Sequence, residues 1–172
     1  MKLLTKSRAI ELIRHNQLGL ANVENYERAF LDDVRIGLRL GEEIIEVSGP
    51  VDLGPSANVK IGRQETATVS LLPGHFYLGI SREELFLPKN VMGLINTRSK
   101  YARLGFELAK SSVYVAPGFG ASTPTSLIFE ITVPIEIRGL SPEIAYGFLL
   151  LFELDEEVRE TGSSYNERFP LR

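Results

Sequence analysis

Strict alternation opens the body of the chain: Val34, Ile36, Leu38 and Leu40 are apolar, with Arg35, Gly37 and Arg39 between them. A period of two is that of a half-buried strand, which Gly41 closes. Glu43–Val47 predicts a second strand, and Ala67–Leu72, Phe76–Ser81 and Glu84–Leu87 predict three more, with a Pro73-Gly74 turn between the first two of these. Residues 49–65 hold Pro50, Gly54, Pro55 and Gly62 and read as a loop or insertion. The cleanest alternation runs from Ser126 to Ile137. Leu127, Phe129, Ile131, Val133, Ile135 and Ile137 share one face, and Glu130 lies on the other between Ile128 and Thr132. Tyr146–Leu154 predicts the last strand. Helical spacing appears at residues 6–15, where Ala9, Leu12 and Ile13 recur behind Ser7 as N-cap. The polar stretch 20–33 reads as a packed loop. Val91–Ile95 suits a strand or a helical turn, Thr97–Leu104 a short helix or turn with a cationic side, and Val113–Val115 a short strand. Many short strands, frequent Gly/Pro turns and little helix predict an all-β sandwich or barrel.

Composition narrows the class. A chain of 172 residues is long enough for one domain with a sizeable core. We assign 1–172 to that domain, with a helix and arm over residues 1–20 and a charged tail over 155–172. Hydrophobic content of 44% beside 24% charged residues is that of a soluble globular protein. The formal net charge of −3 argues against a nucleic-acid binder. No apolar run reaches membrane-spanning length, and the charges spaced through MKLLTKSRAIELIRHN interrupt any signal-peptide core. Zero Cys removes any disulfide framework and makes a cytoplasmic location the expectation. With His15 and His75 as the only histidines, the chain lacks the ligand set of a zinc hydrolase or zinc deaminase.

One stretch concentrates the chemistry. In NTRSKYARLGFELAKSSVYVAPGFGASTPTSLIFE, residues 96–130, a turn bearing Arg98, Ser99, Lys100 and Arg103 precedes the Pro117-Gly118 corner. A strand follows in which the single carboxylate of Glu130 is flanked by apolar residues. Cationic turns suit phosphates, and a half-buried carboxylate suits proton transfer.

LFLPKNVMGLINTRSKYARLGF, followed by VYVAPGF and IFEIT, is similar to the dCTP deaminase branch of the trimeric dUTPase-like superfamily. DDVRIGLRLG, LLPGHFYLGISREELFLP and SSYNERF resemble further family segments. The resemblance implies a distorted β-barrel or jelly-roll homotrimer with sites between subunits. It also implies a deoxynucleoside triphosphate substrate carrying Mg²⁺ on its phosphates. The reaction would be zinc-independent deamination of dCTP to dUTP and ammonia, feeding dUTP and dTTP synthesis. By position, Glu130 matches the general acid/base, Ser99 the hydroxyl that holds the water, and Arg103 the arginine that orders the site. Arg98 matches a phosphate contact, Ser112 a backbone carbonyl facing the water, and Phe119 the aromatic residue beside the deoxyribose. Tyr165 falls at the start of the family's C-terminal region. Lys100 stands where a second Ser is usual, and Ala116 where an Asp contacts the sugar and, in dUTPases, orients the attacking water. The family's closing lid would fall beyond Arg172. These departures leave two alternatives: a regulatory or inactive nucleotide-binding trimer, and a dUTP diphosphatase, against which Ala116 counts.

Overall fold

A period-two pattern interrupted by glycine can be two strands or one bent strand, and here it is one. The computed structural model describes residues 1–48, 60–111, 113–120 and 123–158. Along them run β1 (Lys2–Leu3), α1 (Lys6–Arg14), β2 (Gly19–Ala21), α2 (Tyr26–Ala29), β3 (Arg35–Ser48) and β4 (Lys60–Glu65). Then follow β5 (Phe76–Phe86), β6 (Val91–Thr97), α3 (Ser99–Ala102), β7 (Tyr114–Val115), β8 (Thr125–Ile131) and β9 (Ala145–Glu153). β3 merges the two strands expected on either side of Gly41, and β5 merges Phe76–Ser81 with Glu84–Leu87.

The reason is a corner. The first half of β3 pairs antiparallel with β9 (Ile36 opposite Leu149), and its second half lies between β4 and β5 (Ile45 opposite Arg63 and Leu78). Its register against β5 shifts between Leu40 and Ile44, where an extra residue bends a strand and raises its twist. A Cβ at Gly41 would lie 2.9 Å from Cγ1 of Ile80, so only glycine lets the strands approach so closely here. β3 thus passes from one wing of the sheet, with β1, β9, β6 and β7, into a second wing with β2, β4, β5 and β8.

The core fills the space enclosed by this bend. Ile36, Leu38 and Ile44 of β3, Leu127, Phe129 and Ile131 of β8, and Leu149 and Leu151 of β9 are all buried. α1 covers one end with Ala9, Ile10, Leu12 and Ile13, and its N-cap is Thr5, whose hydroxyl accepts from the Arg8 N–H. Ser7 lies two residues past the cap position and sits inside the helix. The stretch expected as a loop holds β2 and the single-turn α2, capped by Asn25. β8 stops at Ile131, short of the expected Ile137. Pro134 brings no N–H for a ladder, Ile135 is exposed, and Ile137 meets Leu71 in an isolated bridge. That bridge is all the sheet structure in the predicted strand Ala67–Leu72.

A buried ion pair sits at the corner. The Glu83 side chain is 1% exposed and accepts from Nε of Arg39 at 2.7 Å and from the Arg39 backbone N–H at 2.9 Å. Ser81 donates its hydroxyl proton to the Glu83 carbonyl and accepts the Leu127 N–H at 2.8 Å. Removing one partner of a buried pair strands the other charge, whereas removing both restores an apolar interior. Glu83→Ala is therefore expected to lower unfolding free energy by about 3–5 kcal/mol, read from urea denaturation. Arg39→Met combined with Glu83→Leu should recover part of that loss. Equal stability of Glu83→Ala and the parent would show that the pair does not hold the corner.

Candidate active site

β6 ends at Thr97 and the chain turns at once into α3, which brings the basic residues to the surface together. The Arg98 N–H donates to the Tyr146 carbonyl at 2.8 Å, and its Nη1 donates to the Ala145 carbonyl at 2.9 Å. Beneath the turn, the Tyr101 and Phe106 rings pack on Tyr146 with centroids 4.8 and 5.6 Å away. Burial pushes the Tyr146 phenol pKa up, against the opposing effect of the Ser141 N–H donated to its oxygen. It therefore stays a neutral packing partner. The turn closes at Gly105, with φ +75°, where a Cβ would meet Cγ of Pro134 at 2.2 Å. Ser99, Lys100 and Arg103 are left exposed. Nζ of Lys100 lies 4.6 Å from the centroid of the Tyr101 ring, in cation–π contact.

Glu130 is half-buried on the outer face of β8, between Ile128 and Thr132, as the alternation predicts. Its Oε2 accepts the Ser111 N–H at 2.9 Å, and its carbonyl accepts the Lys110 N–H at 3.3 Å. The segment that supplies these donors is itself anchored. The Leu108 N–H donates to Oγ1 of Thr97 at 2.9 Å, and Glu107 and Thr132 exchange two backbone bonds at 3.0 and 3.1 Å. Chain direction thus leads from the basic turn to the carboxylate through residues 106–111.

Ala116 and Phe119 stand on the Pro117-Gly118 corner, where Gly118 has φ +80°. The corner is fastened by Leu87 N–H to the Phe119 carbonyl at 2.8 Å and Gly118 N–H to the Pro88 carbonyl at 3.2 Å. Phe119 is half-buried against the core, so its ring is shared between packing and surface. Ser112 and Tyr165 lie outside the described residues.

The structure gathers these residues into two groups. Arg98, Ser99, Lys100 and Arg103 form one surface turn, and Glu130 stands with Ser111 on the other wing of the sheet. Among the described residues, no hydrogen bond or ion pair joins the turn to Glu130. Arg98 also borders a cavity of about 360 Å³, together with Arg28, Arg39 and Glu83. A larger cavity of about 600 Å³, lined by Glu107, Lys110, Thr132 and His75, opens on the side of β8 that carries Glu130. Among the described residues, no group of three or more His, Asp or Glu side chains is placed to hold a metal ion.

Two residues the pattern left unremarked matter here, Arg39 and Glu83. Glu83 shares the parity of Leu85 and Leu87 in SREELFL, which is the signal that it faces inward.

A family model described as dCTP deaminase-like matches residues 3–139. The chain belongs to that family. A dCTP deaminase from Buchnera aphidicola is 31% identical over 131 residues, which cover 67% of this chain and 67% of the relative. A dUMP-forming dCTP deaminase from Methanosphaerula palustris is 31% identical over 106 residues, or 59% of this chain and 57% of the relative. In architecture the chain is similar to the 2'-deoxycytidine 5'-triphosphate deaminase of Agrobacterium tumefaciens, with TM-score 0.62 and 19% identity. That likeness covers 87% of this chain, which spans 46% of the solved one. It shows the fold of the dCTP deaminase-like family: a curled, distorted half-barrel of the dUTPase-like type.

Because the turn depends on a left-handed glycine against Pro134, Gly105→Ala should cost about 1–3 kcal/mol of stability. The check is thermal unfolding followed by near-ultraviolet circular dichroism of the tyrosines. An unchanged midpoint would mean that the turn closes by other contacts.

Proposed function

We propose that the chain deaminates dCTP to dUTP and ammonia, with Glu130 as the general acid/base. The observation that carries this reading is a half-buried carboxylate, fixed by the Ser111 N–H, on an outer strand face of a dCTP deaminase-like chain. Glu130 would take a proton from water as the water oxygen attacks C4 of cytosine. That proton would pass to N3 as the tetrahedral intermediate forms; Glu130 would then move the remaining hydroxyl proton to the 4-amino group, the C4–N bond would break, and ammonia would leave as the C4 carbonyl forms. Ser99 and the Ser112 carbonyl would hold the water, and Arg103, exposed and without a partner among the described residues, would order the site. Arg98 and Lys100 suit the phosphates, Phe119 the deoxyribose and Tyr165 the closing segment. The substrate would be the Mg²⁺ complex of dCTP, and zinc has no part in the scheme.

The lack of any hydrogen bond or ion pair between the turn and Glu130 among the described residues supports a homotrimer whose sites take each half from a different subunit. The product we assign is dUTP. Ala116 offers a methyl group where hydrolysis of the phosphate chain would need a carboxylate to orient water, and this also sets aside the diphosphatase reading. One observation favours a second reading, a nucleotide-binding trimer without turnover: Arg98 spends a donor on the Ala145 carbonyl.

Incubation with Mg²⁺ and dCTP is expected to release ammonia and dUTP in equal amounts, with no dUMP, and Glu130→Gln should reduce the rate by at least about 100-fold. Turnover unchanged in that variant would sink the assignment, and stoichiometric dUMP would refute the role given to Ala116. Refolding Arg103→Gln and Glu130→Gln chains together should restore activity that neither has alone. No recovery from a mixed trimer would place both groups in one subunit's site.

A further inference from the structure

The cavity beside Arg98 has more cationic capacity than the ion pairs around it consume. Three guanidinium groups line it, those of Arg28, Arg39 and Arg98, together with the carboxylates of Glu24, Glu83 and Glu143. Glu83 is spent on Arg39, and Glu143 accepts from Arg82 at 2.6 Å. Only Glu24, exposed at the rim, faces the cavity with its charge uncommitted among the described residues. Arg98 is half-buried and donates through Nη1 to a neutral carbonyl, so its charge meets no carboxylate. The exposed Arg28 side chain on α2 has no hydrogen-bond or ion-pair partner among the described residues.

Planar guanidinium forks bind phosphate oxygens two at a time, and a half-buried one does so with less competition from water. Two such groups across a cavity of about 360 Å³ match an anion with several phosphates better than a single one. Arg98, the first residue of the turn 98–103, is part of the cavity lining. We infer that this cavity binds a polyphosphate, with Arg28 and Arg98 as its ligands, and that it receives the outer phosphates of the nucleotide. The second half of that statement rests on the deaminase reading; the first does not.

The test uses the full chain and sodium tripolyphosphate, titrated by calorimetry, with orthophosphate as the second probe. Tripolyphosphate should bind the parent and bind Arg28→Gln about tenfold more weakly or worse. Arg28→Lys should fall between them, since it keeps the charge but loses the fork. Because Arg28 is exposed, the melting temperature of Arg28→Gln should match the parent, and the affinity loss then reports the site. With dCTP, the same variant should raise KM by a similar factor at nearly constant kcat. Equal tripolyphosphate affinity in parent and Arg28→Gln would overturn the inference, as would orthophosphate binding as tightly as tripolyphosphate. Turnover with an unchanged KM in Arg28→Gln would overturn the link to the nucleotide. Arg28-dependent tripolyphosphate binding in a protein that never converts dCTP would instead overturn the deaminase reading and leave the site standing.

Discussion

The ion pair between Arg39 and Glu83 is the constraint on which the rest depends. Burying a carboxylate at 1% exposure is costly unless its oxygens are fully engaged, and here one guanidinium and one backbone N–H engage both. The pair occupies the point where β3 leaves one wing of the sheet for the other and where the pairing of β5 with β8 loses register between Ile80 and Glu84. A bulge leaves backbone groups off the ladder, and polar side chains must then take them up. The Glu83 carboxylate and the Ser81 hydroxyl do so, and no buried side-chain nitrogen or oxygen among the described residues is left unpartnered.

The consequence reaches the carboxylate on β8. Ser81 accepts the Leu127 N–H, which pins the start of β8 against β5. A slip of one residue there would turn Leu127, Phe129 and Ile131 outward and Glu130 into the core. The corner that shapes the sheet therefore also sets the side of the strand from which Glu130 can reach a ligand.

This coupling explains what the sequence made legible. Alternation placed Glu130 on the outer face, because parity within one unbroken strand is a local property and β8 is regular through that residue. The basic turn was legible for a similar reason, since α3 is short and its anchors, Tyr101 and Phe106, lie within it or just beyond. Gly41 was misleading. A glycine ends many strands, and whether it ends one or lets two strands cross depends on Ile80, 39 positions away in the chain. The cap on α1 shifted from Ser7 to Thr5 because capping needs extended backbone, which the residue adopts only where the chain enters the helix from β1. Ile135 was placed in the core by parity, but parity fails past Pro134. The direction of Arg98 was not legible at all, since it depends on the carbonyl of Ala145 at the start of β9.

The two halves of the candidate site lie on different wings of a bent sheet, tied by residues 106–111 and by the packing of Gly105 on Pro134. Such a layout keeps each half rigid. The turn is clamped to β9 through Tyr146, and Glu130 is clamped to its strand and to the Ser111 N–H. Rigidity of each half is what catalysis by positioning requires, because reacting groups held in place avoid the entropy of finding one another. On the deaminase reading proposed above, a second copy of the chain would bring the other half of the site already formed. On this argument assembly would be a condition of activity, and a variant that weakens subunit contacts would lose turnover before it lost its fold.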